Sequence, residues 1–324
     1  MSAKNNGRRL SALSTIAAGV GGVVLGVAGW RAFRRATADR ELLPIGRALI
    51  TGASSGIGEA FSRRLAATGF DLTLVARRGD RLQALADELI AAHGIRADVL
   101  TADLARDEDI ARVARAVEGM ADLTLLINNA GFGTRGSFTE VSLERHLDMI
   151  RVHDVASVAL AWSAVPKMVA RGGGGIINVS SIAAFFPSGG GATYTATKAY
   201  LNNFSEALAT ELQGTGVKVQ ALCPGFTYSE FHETPEYEGF DRGQIPGPLW
   251  MSADEVVAES LAALLGEQVI VIPGRQYRSI AIALNSPFRG TILKAGRALR
   301  KRWHSPGFAA VEGRYRGTHE ADRT

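Results

Sequence analysis

The sequence contains a single cysteine, Cys223, in 324 residues. One cysteine excludes an internal disulfide and a cysteine-rich metal site, and it suits a reducing compartment. No group of histidine, cysteine and carboxylate residues has the spacing of metal ligands, so we expect no bound metal. The chain has 324 residues and 46% of them are hydrophobic, so it can bury a large hydrophobic core.

Acidic residues are nearly absent from both ends of the chain. Residues 1–40 carry seven basic side chains and Asp39 as their only acid, and residues 275–303 carry eight basic side chains and no acid. The rest of the chain then has a net charge of about −10, although the whole chain is formally +4. This negative charge outside the two ends argues against nucleic acid as a partner.

Charge is missing altogether between Leu10 and Trp30, a run of 21 residues. A helix of that length would span about 31 Å, the thickness of the hydrocarbon layer, which predicts a membrane anchor over residues 10–30. A cleaved signal or a surface-bound segment is the alternative, because five glycines lower its hydrophobicity. The flanking basic residues favour a membrane-anchored protein with a cytoplasmic body, and a soluble or peripheral cytoplasmic protein is the alternative.

The other basic end, residues 275–303, mixes apolar and basic residues and predicts an amphipathic helical extension. It could lie on anionic lipid, or it could pack on the body with its basic face in water. Residues 304–324 are polar and predict a flexible tail. The expected organisation is a flank and anchor in residues 1–40, one domain in residues 41–274, the basic extension and the tail.

The body alternates short β-rich runs with helical patterns. The runs are residues 47–53, 71–77, 97–103, 123–131, 175–181, 217–225 and 268–274. This alternation predicts an α/β fold, a doubly wound, Rossmann-like parallel sheet of seven strands with helices on both faces. Ligands bind outside the carboxyl ends of the strands in such a sheet, so the motifs found there are the candidates for function.

The first run leads directly into "TGASSGIG", residues 51–58, ahead of a helical pattern. Glycines between a strand and a helix let backbone N–H groups approach a pyrophosphate at the positive end of the helix, which predicts a dinucleotide site. The residues expected to contact it are Gly52, Ser54, Ser55, Gly56, Ile57 and Gly58.

Two arginines, Arg77 and Arg78, stand at the end of the second run, where an NAD site usually presents an acid. Their guanidinium groups suit a 2′-phosphate, so the predicted cofactor is NADP(H). One of the two is expected to be a solvated residue at the start of the next helix.

Four more motifs follow in order: "NNAG" (residues 128–131), "NVSS" (178–181), "YTATK" (194–198) and "PGFT" (224–227). With these, residues 47–274 resemble the short-chain dehydrogenase/reductase family. The resemblance implies that Tyr194 supplies the proton as a hydride arrives, that Ser181 steadies the substrate carbonyl and that Lys198 holds the nicotinamide ribose. A phenol needs a nearby cation to titrate near neutrality, and Lys198 lies one helical turn from Tyr194, so we expect it to favour the phenolate.

The resemblance also extends the cofactor site. It places Asp103 and Leu104 near the adenine. It adds the following contacts along the cofactor: Asn129, Ala130, Gly131, Tyr194, Lys198, Pro224, Gly225 and Thr227. Family members often form dimers or tetramers through their longest helices, and a homo-oligomer is therefore a further expectation.

One position departs from the family pattern. His153 stands where the family has an asparagine that helps to hold a water connected to the lysine. An imidazole can donate and accept, so His153 could keep a proton path, or it could be a tolerated substitution. Its neighbour Asp154 would lie about 100° further round the helix and is expected to be a solvated helix-edge charge.

These observations predict an NADPH-dependent oxidoreductase that interconverts a carbonyl and an alcohol. Residues 228–250, called the lid segment below, mix aromatic residues, acids and prolines as a cover over a cleft does. Together with the predicted anchor, this segment favours a hydrophobic or lipid-like substrate. The alternative is a scaffold or redox sensor that binds NADPH with little turnover, which only His153 favours.

Overall fold

The computed structural model describes residues 45–186, 190–237, 240–284 and 286. The predicted anchor at residues 10–30, the end of the basic extension and the predicted tail lie outside the described residues. Across the described ranges, no helix is long and apolar enough to cross a membrane.

Seven parallel strands form the main sheet, in the order β3-β2-β1-β4-β5-β6-β9. They are β1 (Arg47–Thr51), β2 (Asp71–Ala76), β3 (Ala97–Thr101), β4 (Leu123–Asn128), β5 (Gly174–Val179), β6 (Val217–Leu222) and, after two short strands described below, β9 (Ile270–Val271). Every residue of β1, β4 and β5 is buried, as expected when helices cover both faces. The predicted seven-stranded, Rossmann-like sheet is confirmed.

Eight α-helices connect and cover these strands in the described part of the chain. They are α1 (Gly56–Ala66), α2 (Gly79–His93), α3 (Asp107–Gly119), α4 (Leu143–Ile150), α5 (Ala156–Arg171), α6 (Ala192–Glu211), α7 (Ala253–Leu264) and α8 (Arg275–Leu284). Local sequence sets several ends. Ser252 and Glu255 form a capping box at the start of α7, and α2 and α5 end at Gly94 and Gly172, both left-handed.

The core lies in two layers, one on each face of the sheet. On one face, Phe61 of α1, Leu82 of α2 and Val256 of α7 pack together with the strands. On the other face, Val113 of α3 and Leu160 of α5 do the same. The chain order reverses between β3-β2-β1 and β4-β5-β6, so the crevice for a ligand lies at the carboxyl ends of β1 and β4.

A second, two-stranded sheet joins the two ends of the lid segment. It consists of β7 (Thr227–Tyr228) and β8 (Met251–Ser252), which pair in parallel. The residues between them include 3₁₀ turns at Glu230–His232, Pro235–Tyr237, Arg242–Gln244 and Gly247–Leu249. Two-residue strands leave too short a pattern to be read from the sequence.

Helix α8 is the described beginning of the basic extension. Its residues Tyr277, Ala281 and Leu284 are buried against the domain. For residues 275–284, the structure therefore supports the alternative in which the helix packs on the body.

Candidate active site

The glycine turn after β1 has the shape that a dinucleotide requires. Gly52 and Gly56 adopt left-handed φ angles of 66° and 58°. A Cβ atom on Gly58 would lie 2.3 Å from the carbonyl oxygen of Gly52, so only glycine lets the first turn of α1 approach the strand end this closely. Ser55, the N-cap, makes no side-chain capping bond, which leaves the first N–H groups of α1 available for an anion.

Arg78 is the arginine that belongs to this turn. Its guanidinium donates to the hydroxyl of Ser54 at 3.0 Å and to that of Ser55 at 2.7 Å, and it pairs with Glu230 at 2.7 Å. Arg77 is exposed, and within the described residues its side chain has no hydrogen bond or ion pair. This division agrees with the expectation that one of the two arginines is a solvated residue.

The neighbouring motif residues hold the sheet edge together. The side-chain amide of Asn129 donates to the carbonyl of Thr51 at 2.8 Å, and the backbone N–H groups of Asn129 and Ala130 donate to the Thr51 hydroxyl. At the end of β3, Leu104 is buried and the Asp103 carboxylate accepts from the N–H of Ala105. The strand ends that would line the cofactor are thus fixed by the protein itself.

Ser181, Tyr194 and Lys198 meet at the end of β5. Ser181 begins the 3₁₀ turn Ile182–Phe185, and its hydroxyl also faces the Tyr194 phenol. The ammonium of Lys198 is buried, donates to the carbonyl of Val179 at 2.8 Å and lies 5.7 Å from the centre of the Tyr194 ring. The structure therefore brings the three predicted catalytic residues together.

The titration of this group differs from the expectation that Lys198 would lower the pKa of the phenol. Burial raises the pKa of Tyr194, and the hydrogen bond from Ser181 opposes that shift only in part. Burial also lowers the pKa of Lys198 to about 8, against the charge of Asp154, which raises it. Desolvation is the largest cause of both pKa shifts because both charged forms would lie away from water.

His153 is buried, and both of its ring nitrogens are hydrogen-bonded. Nε2 accepts from the backbone N–H of Phe132 at 3.1 Å, and Nδ1 lies 2.8 Å from the Thr197 hydroxyl. Because that hydroxyl donates to the carbonyl of Tyr194, the imidazole must donate through Nδ1. Burial, with the Lys198 charge, lowers the pKa of His153 well below its usual value. The ring is neutral and connects the loop after β4 to α6, which removes the one feature that favoured a sensor.

Asp154 is not the solvated charge that the sequence predicted. It is half-buried, its Oδ1 atom is buried without a hydrogen-bond partner, and desolvation raises its pKa to about 7 despite the positive charge of Lys198. The reason is local geometry. Residues Arg151–Val155 form a π-helical turn between α4 and α5, so the α-helical spacing used for the prediction does not hold here.

The turn containing Pro224, Gly225 and Thr227 follows β6. A Cβ atom on Gly225 would lie 1.9 Å from the ring of Tyr277, whose hydroxyl accepts from the N–H of Phe226 at 2.9 Å. Thr227 is buried and donates to the carbonyl of Gly225. Tyr277 of α8 thus supports this turn, a role that the sequence did not reveal because its partner lies about fifty residues away in the chain.

Aromatic side chains of the lid segment lie beside Tyr194. The ring of Phe231 lies 6.1 Å from that of Tyr194 and 5.3 Å from that of Tyr237. Behind them, His232 packs among aromatic rings of the lid segment, and burial lowers its pKa to about 4. Across the cleft, the guanidinium of Arg145 lies 4.0 Å from the ring centre of Phe132 and pairs with Glu236. The rings of Phe231 and Tyr237 thus place apolar surface beside the phenol.

The model of the short chain dehydrogenase family matches residues 47–237. The chain belongs to the short-chain dehydrogenase family. It is therefore an oxidoreductase.

Individual relatives have related activities. The chain is 37% identical over 181 residues to a very-long-chain 3-oxoacyl-CoA reductase of Pyrenophora tritici-repentis, a match that covers 54% of this chain and about half, 53%, of that protein. The structure of this chain is similar to that of a short-chain dehydrogenase from Sphingobium yanoikuyae in complex with NADPH. The TM-score is 0.66 and the identity is 33%, and the match covers 81% of this chain and 97% of the other. A bulky-bulky ketone specific alcohol dehydrogenase from Comamonas testosteroni gives a TM-score of 0.64, 29% identity and coverage of 81% and 96%.

Proposed function

We propose that this protein reduces bulky, apolar ketones, or oxidises the matching alcohols, with Tyr194 as the proton donor. The chain is an NADPH-dependent oxidoreductase that interconverts carbonyls and alcohols. The observation that supports the role of Tyr194 is its place between the Ser181 hydroxyl and the buried ammonium of Lys198, at the edge of the sheet where the glycine turn opens.

The residues at the sheet edge fit NADPH. The close approach of Gly58 to Gly52 leaves a surface of uncapped N–H groups for the pyrophosphate, and Arg78 offers donors to a 2′-phosphate. We assign Lys198 to the nicotinamide ribose, and Asp103 and Leu104 to the adenine side. When bound, NADPH supplies a hydride to the carbonyl carbon.

The protein's own groups handle the proton. The Ser181 hydroxyl donates a hydrogen bond to the carbonyl oxygen and holds it beside the phenol. Tyr194 then transfers its proton to that oxygen, so the carbonyl becomes an alcohol and the tyrosine becomes a phenolate. The Lys198 ammonium stabilises this phenolate, and a proton from solvent restores the phenol. His153 positions α6 through Thr197 and keeps its own proton.

The aromatic cover favours an apolar substrate. Phe231 lies next to Tyr194, Tyr237 packs on Phe231, and Phe132 lies against His153. Rings of this kind contribute large apolar contact areas. The chain's similarity to a 3-oxoacyl-CoA reductase and to a bulky ketone dehydrogenase is consistent with this class. We therefore expect long-chain or aryl ketones to be better substrates than acetone.

Steady-state kinetics with a graded set of ketones in detergent tests the substrate class. The set runs from acetone through 2-decanone to an aryl ketone. We expect kcat/KM to rise by at least about tenfold from acetone to the bulkiest ketone. In Phe231→Ala, the KM for the bulky ketones should be higher, so that most of this rise in kcat/KM is lost. Tyr228→Ala is the matched control, since Tyr228 is another aromatic of the lid segment but stacks on Trp250 instead of facing Tyr194. Equal kcat/KM for acetone and the bulky ketones would contradict the substrate class.

Membrane attachment through residues 10–30 is a separate part of the proposal, and it rests on the sequence alone. The uncharged run with basic flanks supports it, as does the compatibility of an anchor with a lipid-like ketone. In this arrangement, we propose that residues 41–274 form the catalytic domain, which follows the anchor in the chain. Alkaline carbonate extraction of membranes containing the full chain tests the anchor. Retention in the membrane pellet is expected, and release into the supernatant would contradict it.

A further inference from the structure

Glu230 pairs with Arg78 of the predicted phosphate site and with a further arginine, Arg81, which the prediction did not include. Its carboxylate accepts from Arg78 at 2.7 Å and from Arg81 at 2.6 and 2.9 Å. Arg78 keeps its remaining donors on the hydroxyls of Ser54 and Ser55 in the glycine turn. One carboxylate therefore sits on two guanidinium groups at the carboxyl end of β2.

The backbone around Glu230 lies directly against the glycine turn. A Cβ atom on Gly56 would lie 2.9 Å from the Cβ of Ser229, the residue before Glu230. On the other side, Phe231 reaches to within 6.1 Å of the Tyr194 ring centre. The turn Glu230–His232 thus joins the cofactor arginines to the catalytic tyrosine through adjacent residues.

A carboxylate and a phosphate compete for the same guanidinium donors. The hydrogen bond from Arg78 lowers the pKa of Glu230, so its carboxylate stays ionised at neutral pH. The side chains of Glu230 and Arg78 are each 42% exposed and that of Arg81 is 53% exposed. Ion pairs this exposed are weak, and a doubly charged phosphate can displace the carboxylate.

We propose that Glu230 determines cofactor selectivity by competing with the 2′-phosphate for Arg78 and Arg81. Without a phosphate, the ion pairs fasten the start of the lid segment over the glycine turn. A bound 2′-phosphate takes the arginines and releases Glu230, so cofactor binding loosens this end of the lid segment. The inference depends on the proposed NADPH site, because only that cofactor carries the competing group.

Binding of two nucleotide probes to Glu230→Gln tests the competition. The probes are adenosine 2′,5′-bisphosphate, which has the 2′-phosphate, and 5′-AMP, which lacks it. By isothermal titration calorimetry, Glu230→Gln should bind the bisphosphate about five- to tenfold more tightly than the unmutated protein does, the effect of one or two exposed ion pairs, with unchanged 5′-AMP binding. Glu233→Gln is the matched control, because Glu233 pairs with Arg242 within the lid segment.

Hydrogen exchange measures the opening of the lid segment independently of catalysis. The bisphosphate should speed exchange at the N–H of Phe231, which donates to the Ser229 hydroxyl, in the unmutated protein and in Glu233→Gln. In Glu230→Gln, this exchange should already be fast without the probe. Weaker or unchanged bisphosphate binding by Glu230→Gln, or slower exchange on adding the probe, would overturn the inference. If the unmutated protein shows no preference for the bisphosphate over 5′-AMP, the proposed NADPH site itself fails.

Discussion

The Nε2 atom of His153 accepts a hydrogen bond from the backbone N–H of Phe132 at 3.1 Å. On its other side, the ring lies 2.8 Å from the Thr197 hydroxyl, one residue before Lys198. The imidazole therefore holds the loop after β4 against α6, and neither of its ring nitrogens is free for a proton path. His153 is therefore a neutral structural link between this loop and the helix.

Replacing His153 should change stability more than catalysis. His153→Leu removes the acceptor of the Phe132 N–H and the donor to the Thr197 hydroxyl, so we expect a loss of about 1–3 kcal/mol in the free energy of unfolding. His153→Asn should keep the pH profile of kcat/KM between about pH 6 and 8, since the imidazole is already neutral there. A shifted profile in His153→Asn would show that the imidazole titrates during turnover.

The lowered pKa of His153 also predicts that the stability of the protein depends on pH. The pKa of His153 is lowered in the folded protein, so below about pH 6.5 the unfolded chain takes up a proton that the folded protein does not. The free energy of unfolding should therefore fall as the pH drops below about 6.5. Urea unfolding at a series of pH values should show a smaller fall in His153→Asn than in the unmutated protein.

Asp154 should act on stability in the opposite direction. Its pKa is raised to about 7, so between about pH 4 and 7 the folded protein holds a proton that the unfolded chain has lost, and stability falls as the pH rises. Asp154→Asn should gain about 1–2 kcal/mol at pH 8, after allowance for solvent screening, and nothing at pH 4. Asp148→Asn, in the preceding helix, removes ion pairs with Arg145 and Arg151 instead and should not stabilise the protein. An Asp154→Asn gain that is equal at both pH values would contradict this explanation.

NADPH affinity should depend on the protonation of Lys198. Burial lowers the pKa of Lys198 to about 8, and the ammonium is lost as the pH rises through that value. If the ammonium is required, the Kd for NADPH should rise by about tenfold for each pH unit above the pKa. Asp154→Asn removes a carboxylate that raises the pKa, so the increase should begin at lower pH. Fluorescence titrations between about pH 6.5 and 9.5 measure this, and a Kd that is constant over the range would rule it out.

The two arginines after β2 should differ in their effect on NADPH binding. Arg78→Ala removes donors held at the glycine turn, and we expect it to raise the Kd for NADPH by roughly 10- to 100-fold, the value of a charged hydrogen bond. The Kd for NADH should change little. Arg77→Ala is the natural control, because Arg77 is exposed and unpaired among the described residues. Equal losses of NADPH affinity in the two variants would indicate that both arginines bind the 2′-phosphate.

Repeating patterns made the fold, and the meeting of Ser181, Tyr194 and Lys198, predictable. The strands are continuous β-rich runs, and Ser181, Tyr194 and Lys198 lie at strand ends or on one helix face, where spacing determines position. Asp154 was mispredicted because a π turn changes the spacing locally. The contacts of Glu230 and Tyr277 join residues far apart in the chain, and no local pattern encodes them.

The role of Tyr194 is tested most directly by single-turnover kinetics with NADPH already bound and an apolar ketone added. Tyr194→Phe should slow NADPH oxidation by about 100-fold or more and leave the Kd for NADPH within about twofold of its original value. Tyr200→Phe is the matched control, since Tyr200 lies on the same helix but is exposed and stacks on Phe204. Tyr194→Phe that reduces the ketone at nearly the original rate would contradict Tyr194 as the proton donor.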